Sequence, residues 1–453
     1  MNTSLAAAAK LMHATLHGAD RSFDGVSTDT RTLSDGELFF ALHGPNFDGS
    51  SFVVTAQDKG AAGAVVNEVV DADIAQITVD DTRLALGQLA AAWRQQQRAL
   101  VIGITGSNGK TTLKELTAAC LSQTASTLAT EGNLNNDIGM PLMLLRINKS
   151  HDYAVIEMGA NHAGEIAYLT SLAQPNIVVI TNAAAAHLEG FGSVAGVAQA
   201  KGEILRGALR PDFAILNADD RFFDSWLSLV EDVNVLSFGL GKSADVRADK
   251  IVAEANQTRF HLYVQEAEFD VTLPLAGTHN VRNACAAAAI ATALRVSAEK
   301  IVGALESVRP VAGRLQAMDG LRSAKLYDDS YNANPLSVTS AAEFIASLPG
   351  ASWLVMGDMC ELGAEAPSLH REVGKAVRRA GVERLFAVGN LCKYTVDAFG
   401  DNGVWYASVE TLIDAVAADM ADDINVLVKG SRSMRMELVV AALRVKPAMR
   451  SEV

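Results

Sequence analysis

Four short runs of consecutive apolar residues punctuate the middle of the chain: Ala99-Leu-Val-Ile-Gly-Ile-Thr105, Ala154-Val-Ile-Glu-Met158, Ile177-Val-Val-Ile-Thr181 and Phe213-Ala-Ile-Leu-Asn217. Runs without polar alternation suit strands buried on both faces, and helical segments separate them, which predicts a doubly wound parallel sheet. A β-rich insert near residues 245–274 and an alanine-rich helix from about Val281 follow. Near Ala312-Gly-Arg-Leu-Gln316 the pattern restarts, with strands predicted at 325–328, 353–356, 384–388 and 426–429 in a second open α/β lobe. Before residue 98 short strands mix with polar turns; Glu37-Leu-Phe-Phe-Ala-Leu-His43 predicts a strand running into the turn-rich Gly44-Pro-Asn-Phe-Asp-Gly49. The predicted class is α/β in three domains: mixed α/β over 1–98, a central doubly wound parallel sheet over 99–312 and a Rossmann-like domain over 313–453.

A length of 453 residues supports that division, since one core rarely serves much more than about 250 residues. The net charge of −14 argues against broad attraction to nucleic acid or anionic membrane, so an anionic substrate has to be held by a few placed cations. Four dispersed cysteines without a Cys-x-x-Cys pair argue against a disulfide framework or a thiolate zinc site and fit a reducing cytoplasm. The first ten residues lack the basic start of a secretory signal, and no run of about 18 uncharged apolar residues occurs. The expectation is a soluble cytoplasmic protein, monomeric, with neither membrane nor nucleic-acid partner.

The strongest motif is Gly103-Ile-Thr-Gly-Ser-Asn-Gly-Lys110-Thr111-Thr112, after a predicted strand and before a helical segment at 113–121. Glycines let backbone N–H groups turn inward on phosphate oxygens, and a helix N-terminus adds partial positive charge. Gly106, Ser107, Asn108, Gly109, Lys110, Thr111 and Thr112 are therefore expected to cradle ATP, with Lys110 on the β- and γ-phosphates and the Thr111 hydroxyl on Mg²⁺. Strict G-x-x-x-x-G-K-[ST] spacing would need glycine at Ile104, so the loop is a variant. Glu157 ends a predicted strand at the carboxyl edge of the sheet, where α/β folds keep their ligand crevice, and suits Mg²⁺. His187 follows the next strand onto the same rim, beside Glu189 and a glycine-rich loop; His162 is the weaker histidine. Lys201 lies on a predicted helix, where a lysine ordinarily faces solvent.

Taken in order, the phosphate loop, Glu157, His187, Lys201, Gly277-Thr-His-Asn280-Val-Arg-Asn283, Gly313-Arg314 and Tyr327-Asp-Asp-Ser-Tyr-Asn332 resemble the Mur ligase family along essentially the whole chain. Further segments sharpen the likeness: Glu131-Gly-Asn-Leu-Asn-Asn136-Asp-Ile-Gly-Met-Pro141, Met356-Gly-Asp-Met-Cys-Glu-Leu-Gly363 and Lys429-Gly-Ser-Arg-Ser-Met434. The resemblance implies an ATP-dependent amide ligase that activates the carboxylate of UDP-N-acetylmuramoyl-tripeptide as an acyl phosphate and passes it to D-alanyl-D-alanine. It implies Lys110, Glu157, His187, Lys201 and Arg314 as catalytic. Thr111, Glu157, His187 and a carbamylated Lys201 would serve two Mg²⁺ ions, Asn280 the adenine, Arg314 the γ-phosphate, and Asp328 or Asp329 the ribose.

Ser27, Thr30 and Arg31 are implied for the uridine diphosphate end, which makes residues 1–98 a UDP-binding domain. Ser50 departs from the family there, standing where relatives often carry histidine. Asn135, Asn136 and Asn332, with Asn334 beside them, are implied for the peptides. Two other readings share parts of the pattern: a sister amide ligase such as folylpolyglutamate synthase, and a P-loop switch whose ATP turnover drives a partner.

Overall fold

In the computed structural model, which describes residues 3–44 and 47–445, three large sheets follow one another along the chain, beside two small two-stranded ones. Pro45 and Asn46 of the turn-rich loop, and the first two residues, lie outside the described residues. The first sheet has five strands in the order Thr15–His17, Gln76–Thr78, Gly63–Val66, Glu37–Phe40 and Gly25–Ser27; its first pair is antiparallel and the others parallel. The strand expected over 37–43 stops at Phe40, and His43–Gly44 instead pairs with Phe47–Asp48 in a small hairpin. Helix Thr82–Gln95, capped by the Asp81 carboxylate on the Arg83 and Leu84 amides, ends this lobe. Its last turn is fixed to the central lobe: the Trp93 indole donates to the Ile147 carbonyl at 2.8 Å and Arg94 Nε to the Ala173 carbonyl at 3.0 Å.

The central sheet runs Thr127–Ala129, Tyr153–Glu157, Leu100–Thr105, Ile177–Ile180, Phe213–Asn217, Asn234–Gly239, Val246–Ala253, Thr258–Val264, Ala267–Leu273. The first seven are parallel and the last two antiparallel, so the β-rich insert extends the sheet rather than standing apart from it. Successive residues of the inner strands enter opposite cores. Val101, Ile156, Val178 and Leu216 pack toward the N-terminal lobe, while Ile102, Val155, Val179 and Ile215 pack beneath the alanine-rich helix. This double burial is why these strands lack polar alternation. The helix Thr278–Ala293 begins three residues before the expected start, which places Asn280 in its first turn. With Ala284, Ala286 to Ala289 and Ala291 fully buried, small side chains let it lie close against the phosphate-loop helix Lys110–Leu121.

The third sheet is Gln316–Asp319, Lys325–Asp329, Ile424–Lys429, Ala351–Gly357, Arg384–Val388 and Gly403–Tyr406, parallel except for its first strand. It is an open sheet with buried faces on both sides. No helix among the described residues is long and apolar enough to cross a membrane.

Candidate functional site

The strand Leu100–Thr105 hands the chain to the phosphate loop at the carboxyl edge of the central sheet. Gly106 (φ 141°) and Gly109 (φ 84°) take backbone conformations that L side chains rarely adopt. A Cβ at Gly106 would collide with the Thr181 hydroxyl, and one at Gly109 with the Asn283 amide. The helix Lys110–Leu121 then starts with no side-chain cap, leaving its first amides directed at the cleft. Not every loop amide is free for phosphate, however. Ser107 N–H donates to the Asn182 carbonyl and Asn108 N–H to Asn182 Oδ1, both at 3.0 Å. Asn182, on the segment after the next strand, thus sets the loop's shape, a role that its place in Thr181-Asn-Ala did not signal.

Around this loop lies a cavity of about 750 Å³, walled by residues of all three lobes. Of the residues singled out from sequence, Ser107, Asn108, Gly109, Lys110, Thr111, Thr112, Asn135, Asn136, Glu157, His187, Asn280, Arg314, Asp329, Asn332 and Asn334 line it. Glu157 is buried, and its carboxylate accepts from the Thr111 hydroxyl at 3.0 Å and from Asn135 Nδ2 at 2.7 Å. Arg314, from the third lobe, stacks its guanidinium 3.9 Å from the Tyr331 ring centroid and donates to Thr111 Oγ1 at 3.3 Å. Lys110 Nζ folds back to donate to the Gly106 carbonyl at 2.7 Å. Burial lowers its pKa, with Glu157 opposing and Arg314 adding to the shift.

His187 stands at φ 53°, its Nδ1 2.5 Å from the Glu361 carboxylate of the third lobe, in a close contact not aligned as a hydrogen bond. Glu361 also has positive φ, 62°, and its carbonyl accepts the Glu189 amide at 3.2 Å. Burial holds the imidazole pKa below its usual value; Glu361 raises it, while Lys110 and Lys201 lower it further. Lys201 is no solvated helix residue: it is 2% exposed, behind the cleft wall. Its Nζ has the Ala160 carbonyl at 3.4 Å and the Phe191 ring centroid at 5.2 Å. Burial first, and then the Lys110 charge, push its pKa down to about 7.

The remaining residues named from sequence take other positions or make contacts of their own. Asp328 does not line the cavity; its carboxylate accepts from the Ser330 amide and hydroxyl at 3.1 and 2.6 Å. Strand alternation turns Asp329 inward instead, onto Lys429 Nζ at 2.6 Å and the Leu315 amide at 3.2 Å. Ser27, Thr30 and Arg31 are absent from the cavity wall. Ser27 Oγ closes a local turn on Asp29, and exposed Arg31 pairs with the Asp29 carboxylate at 2.6 Å, holding that acid down to about 2. His162 is exposed beside Glu165. Asn280 Nδ2 donates to the Ala276 carbonyl at 2.8 Å, and its Oδ1 accepts from Asn283.

The donors fit the metal that the resemblance implies. Thr111 and Glu157 offer hard oxygens beside the helix start, as Mg²⁺ prefers. A histidine whose pKa burial lowers and a lysine whose amine is about half neutral near pH 7 suit ligation and carbamylation.

A parallel sheet carrying a phosphate loop, faced across a cleft by a second open sheet that supplies an arginine, is the architecture of a P-loop ATP-dependent enzyme. Family models match most of the chain: Mur ligase family, catalytic domain, over 22–94; Mur ligase middle domain over 104–291; and Mur ligase, glutamate ligase domain, over 313–432. The chain belongs to the Mur ligase family. It is 44% identical to the UDP-N-acetylmuramoyl-tripeptide--D-alanyl-D-alanine ligase of Escherichia coli (strain K12), over 98% of this chain and 99% of that one. A crystal structure of MurF from Acinetobacter baumannii superposes with a TM-score of 0.92 at 36% identity, covering 97% of this chain and 98% of that one. MurF from Thermotoga maritima, in complex with ADP, matches with a TM-score of 0.81 at 25% identity, over 92% and 96% of the two chains.

Proposed function

We propose that the protein is an ATP-dependent amide ligase that joins D-alanyl-D-alanine to UDP-N-acetylmuramoyl-tripeptide in the synthesis of peptidoglycan precursor. The observation that carries this reading is the meeting of Lys110, Thr111 and Glu157 with Arg314 across one cleft, in a chain 44% identical to an enzyme of that name.

The terminal carboxylate of the tripeptide attacks the γ-phosphorus, a P–O bond forms, and the bond to the bridging oxygen breaks, giving an acyl phosphate and ADP. The dipeptide amine, after its ammonium loses a proton, then attacks the acyl carbon. An N–C bond forms, phosphate leaves with the C–O bond, and the nitrogen loses its second proton. Two anions meet in the first step, and their repulsion is strong where water is excluded. Lys110 and Arg314 approach the phosphates from two lobes, and the helix start at Lys110–Thr112 adds its dipole. When bound, Mg²⁺ supplies further neutralisation of the phosphoryl charge, one ion held by Thr111 and Glu157 and a second by His187 and carbamylated Lys201.

Residues 99–312 bind ATP, residues 313–453 close over it, and residues 1–98 take the uridine diphosphate through Ser27, Thr30 and Arg31. Asp329 serves the ribose and Asn280 the adenine, while Asn135, Asn136 and Asn332 read the peptides through amides that both donate and accept. The ATP-site residues meet in one cavity of one chain, so the site needs no second copy and the protein is read as a monomer; its dispersed free cysteines fit a reducing cytoplasm.

Purified protein given ATP, Mg²⁺, UDP-N-acetylmuramoyl-tripeptide and D-alanyl-D-alanine should yield a product of the summed mass less water. With the tripeptide carboxylate labelled in both oxygens with ¹⁸O, one label should appear in the released phosphate. Product formed with glutamate instead of the dipeptide would move the reading to a folylpolyglutamate-type ligase.

A further inference from the structure

The loop 330–334 joins the third lobe's strand Lys325–Asp329 to the helix Pro335–Ser347, and it touches the phosphate loop through a residue-to-residue contact that the resemblance does not assign. Asn334, 7% exposed, donates through Nδ2 to Asn108 Oδ1 at 2.7 Å, while Asn108 Nδ2 donates back to Asn334 Oδ1 at 3.4 Å. The same Oδ1 caps its own helix, accepting the Ser337 amide at 3.0 Å, and Ser337 Oγ accepts the Asn334 amide in return. Three residues before Asn334, Tyr331 lies under the Arg314 guanidinium, and its amide donates to the Gly313 carbonyl at 3.2 Å. Arg314 in turn donates to Thr111. The loop is thus pinned to the phosphate loop at one end by an amide pair and at the other through Tyr331, which lies under the arginine that donates to Thr111.

We propose that Asn334 is a positioning residue: its amide pair with Asn108 seats loop 330–334 on the phosphate loop and so places Arg314 over the position of the γ-phosphate. The pair suits this role chemically. Two primary amides match donor to acceptor only when face to face, so the contact exists in the closed arrangement and vanishes when the lobes part. Because Asn334 also caps a helix, a displaced pair shifts the rigid element behind it rather than one side chain. Asn108 is held from the other side, its carbonyl accepting the Thr181 hydroxyl at 2.7 Å and Asn182 Nδ2 at 3.1 Å, so the partner presented to the third lobe is fixed.

For its kinetic arm the inference rests on the ligase reading above. Asn334→Ser separates the two roles of the residue, since serine caps helices about as well as asparagine but cannot reach Asn108. Its melting midpoint and its dissociation constant for ADP should match the wild type, while kcat falls about tenfold, the scale of one or two net hydrogen bonds lost at closure. Asn108→Ala should lose a similar factor, and the double variant no more than either alone, as for one shared contact. Small-angle scattering with ADP, Mg²⁺ and the tripeptide substrate should show the wild type more compact than Asn334→Ser. Unchanged kcat and compaction in Asn334→Ser, or losses that multiply in the double variant, would overturn the proposal. Should the wild type form no amide product, the ligase reading fails instead, and scattering still decides whether the pair holds the lobes together.

Discussion

Lys201 shows what burial does to one residue's chemistry. An amine pushed down to about 7 is about half neutral near pH 7 and can take up carbon dioxide, whereas an exposed lysine stays protonated. Lys201→Ala should therefore abolish amide formation, and added bicarbonate should not restore it, as steady-state assays with and without bicarbonate can check. The sign of the pH effect follows from the lowered pKa. Below about 7 the folded-state amine is protonated and the carbamate is lost, so activity should fall as pH drops through that value. Stability moves in the same direction: the unfolded chain holds the proton up to the ordinary lysine value and the folded one only to about 7, so stability rises with pH across that window. Lys201→Met should accordingly be inactive yet no less stable near neutral pH, gaining about 1–3 kcal/mol from removal of a buried amine, measurable by denaturant unfolding. Arg314→Lys keeps the charge but loses the planar fork stacked on Tyr331; kcat should drop about 10²-fold, with tripeptide affinity unchanged.

Among the elements, those that carry the chemistry were the most legible. Strands at 100–105, 153–157, 177–180 and 213–217 are buried on both faces, and such burial writes itself as unbroken apolar runs. Other strands, among them Thr127–Ala129, Asn234–Gly239, Gln316–Asp319 and Gly403–Tyr406, are only partly buried, so no long apolar run marks them. Site residues followed a similar rule. Loop, strand-end carboxylate and rim histidine were placed by motif, while Asn182, Glu361 and the pairing of Asn108 with Asn334 depend on contacts between distant segments that no local pattern encodes. Lys201 is assigned through the resemblance alone, because one lysine in a helix does not reveal what packs over it. The alanine-rich helix gives a direct test of element packing: Ala287→Leu adds bulk at a fully buried position and should cost about 1–3 kcal/mol, seen as an earlier unfolding midpoint. On the third sheet, Lys429→Met would leave Asp329 without its buried partner at a cost of about 3–5 kcal/mol, with loss of ATP affinity because that aspartate faces the cleft.

Across the whole molecule, the site exists because three lobes share one cavity. The central sheet contributes the phosphate loop, Glu157 and His187. The third lobe brings Arg314, Asp329 and Glu361 to them, and the N-terminal lobe is fixed behind through Trp93 and Arg94. A net charge of −14 offers no general attraction for substrates that are themselves anionic, so binding falls to the few cations gathered in the cleft. Assembly of those cations on closure should make ATP turnover conditional on both small substrates. Phosphate release from ATP and Mg²⁺, measured with each substrate omitted in turn, tests it most directly. Turnover only when UDP-N-acetylmuramoyl-tripeptide and D-alanyl-D-alanine are both present is the predicted result; steady turnover with neither would contradict it and point to an ATPase that drives some other process.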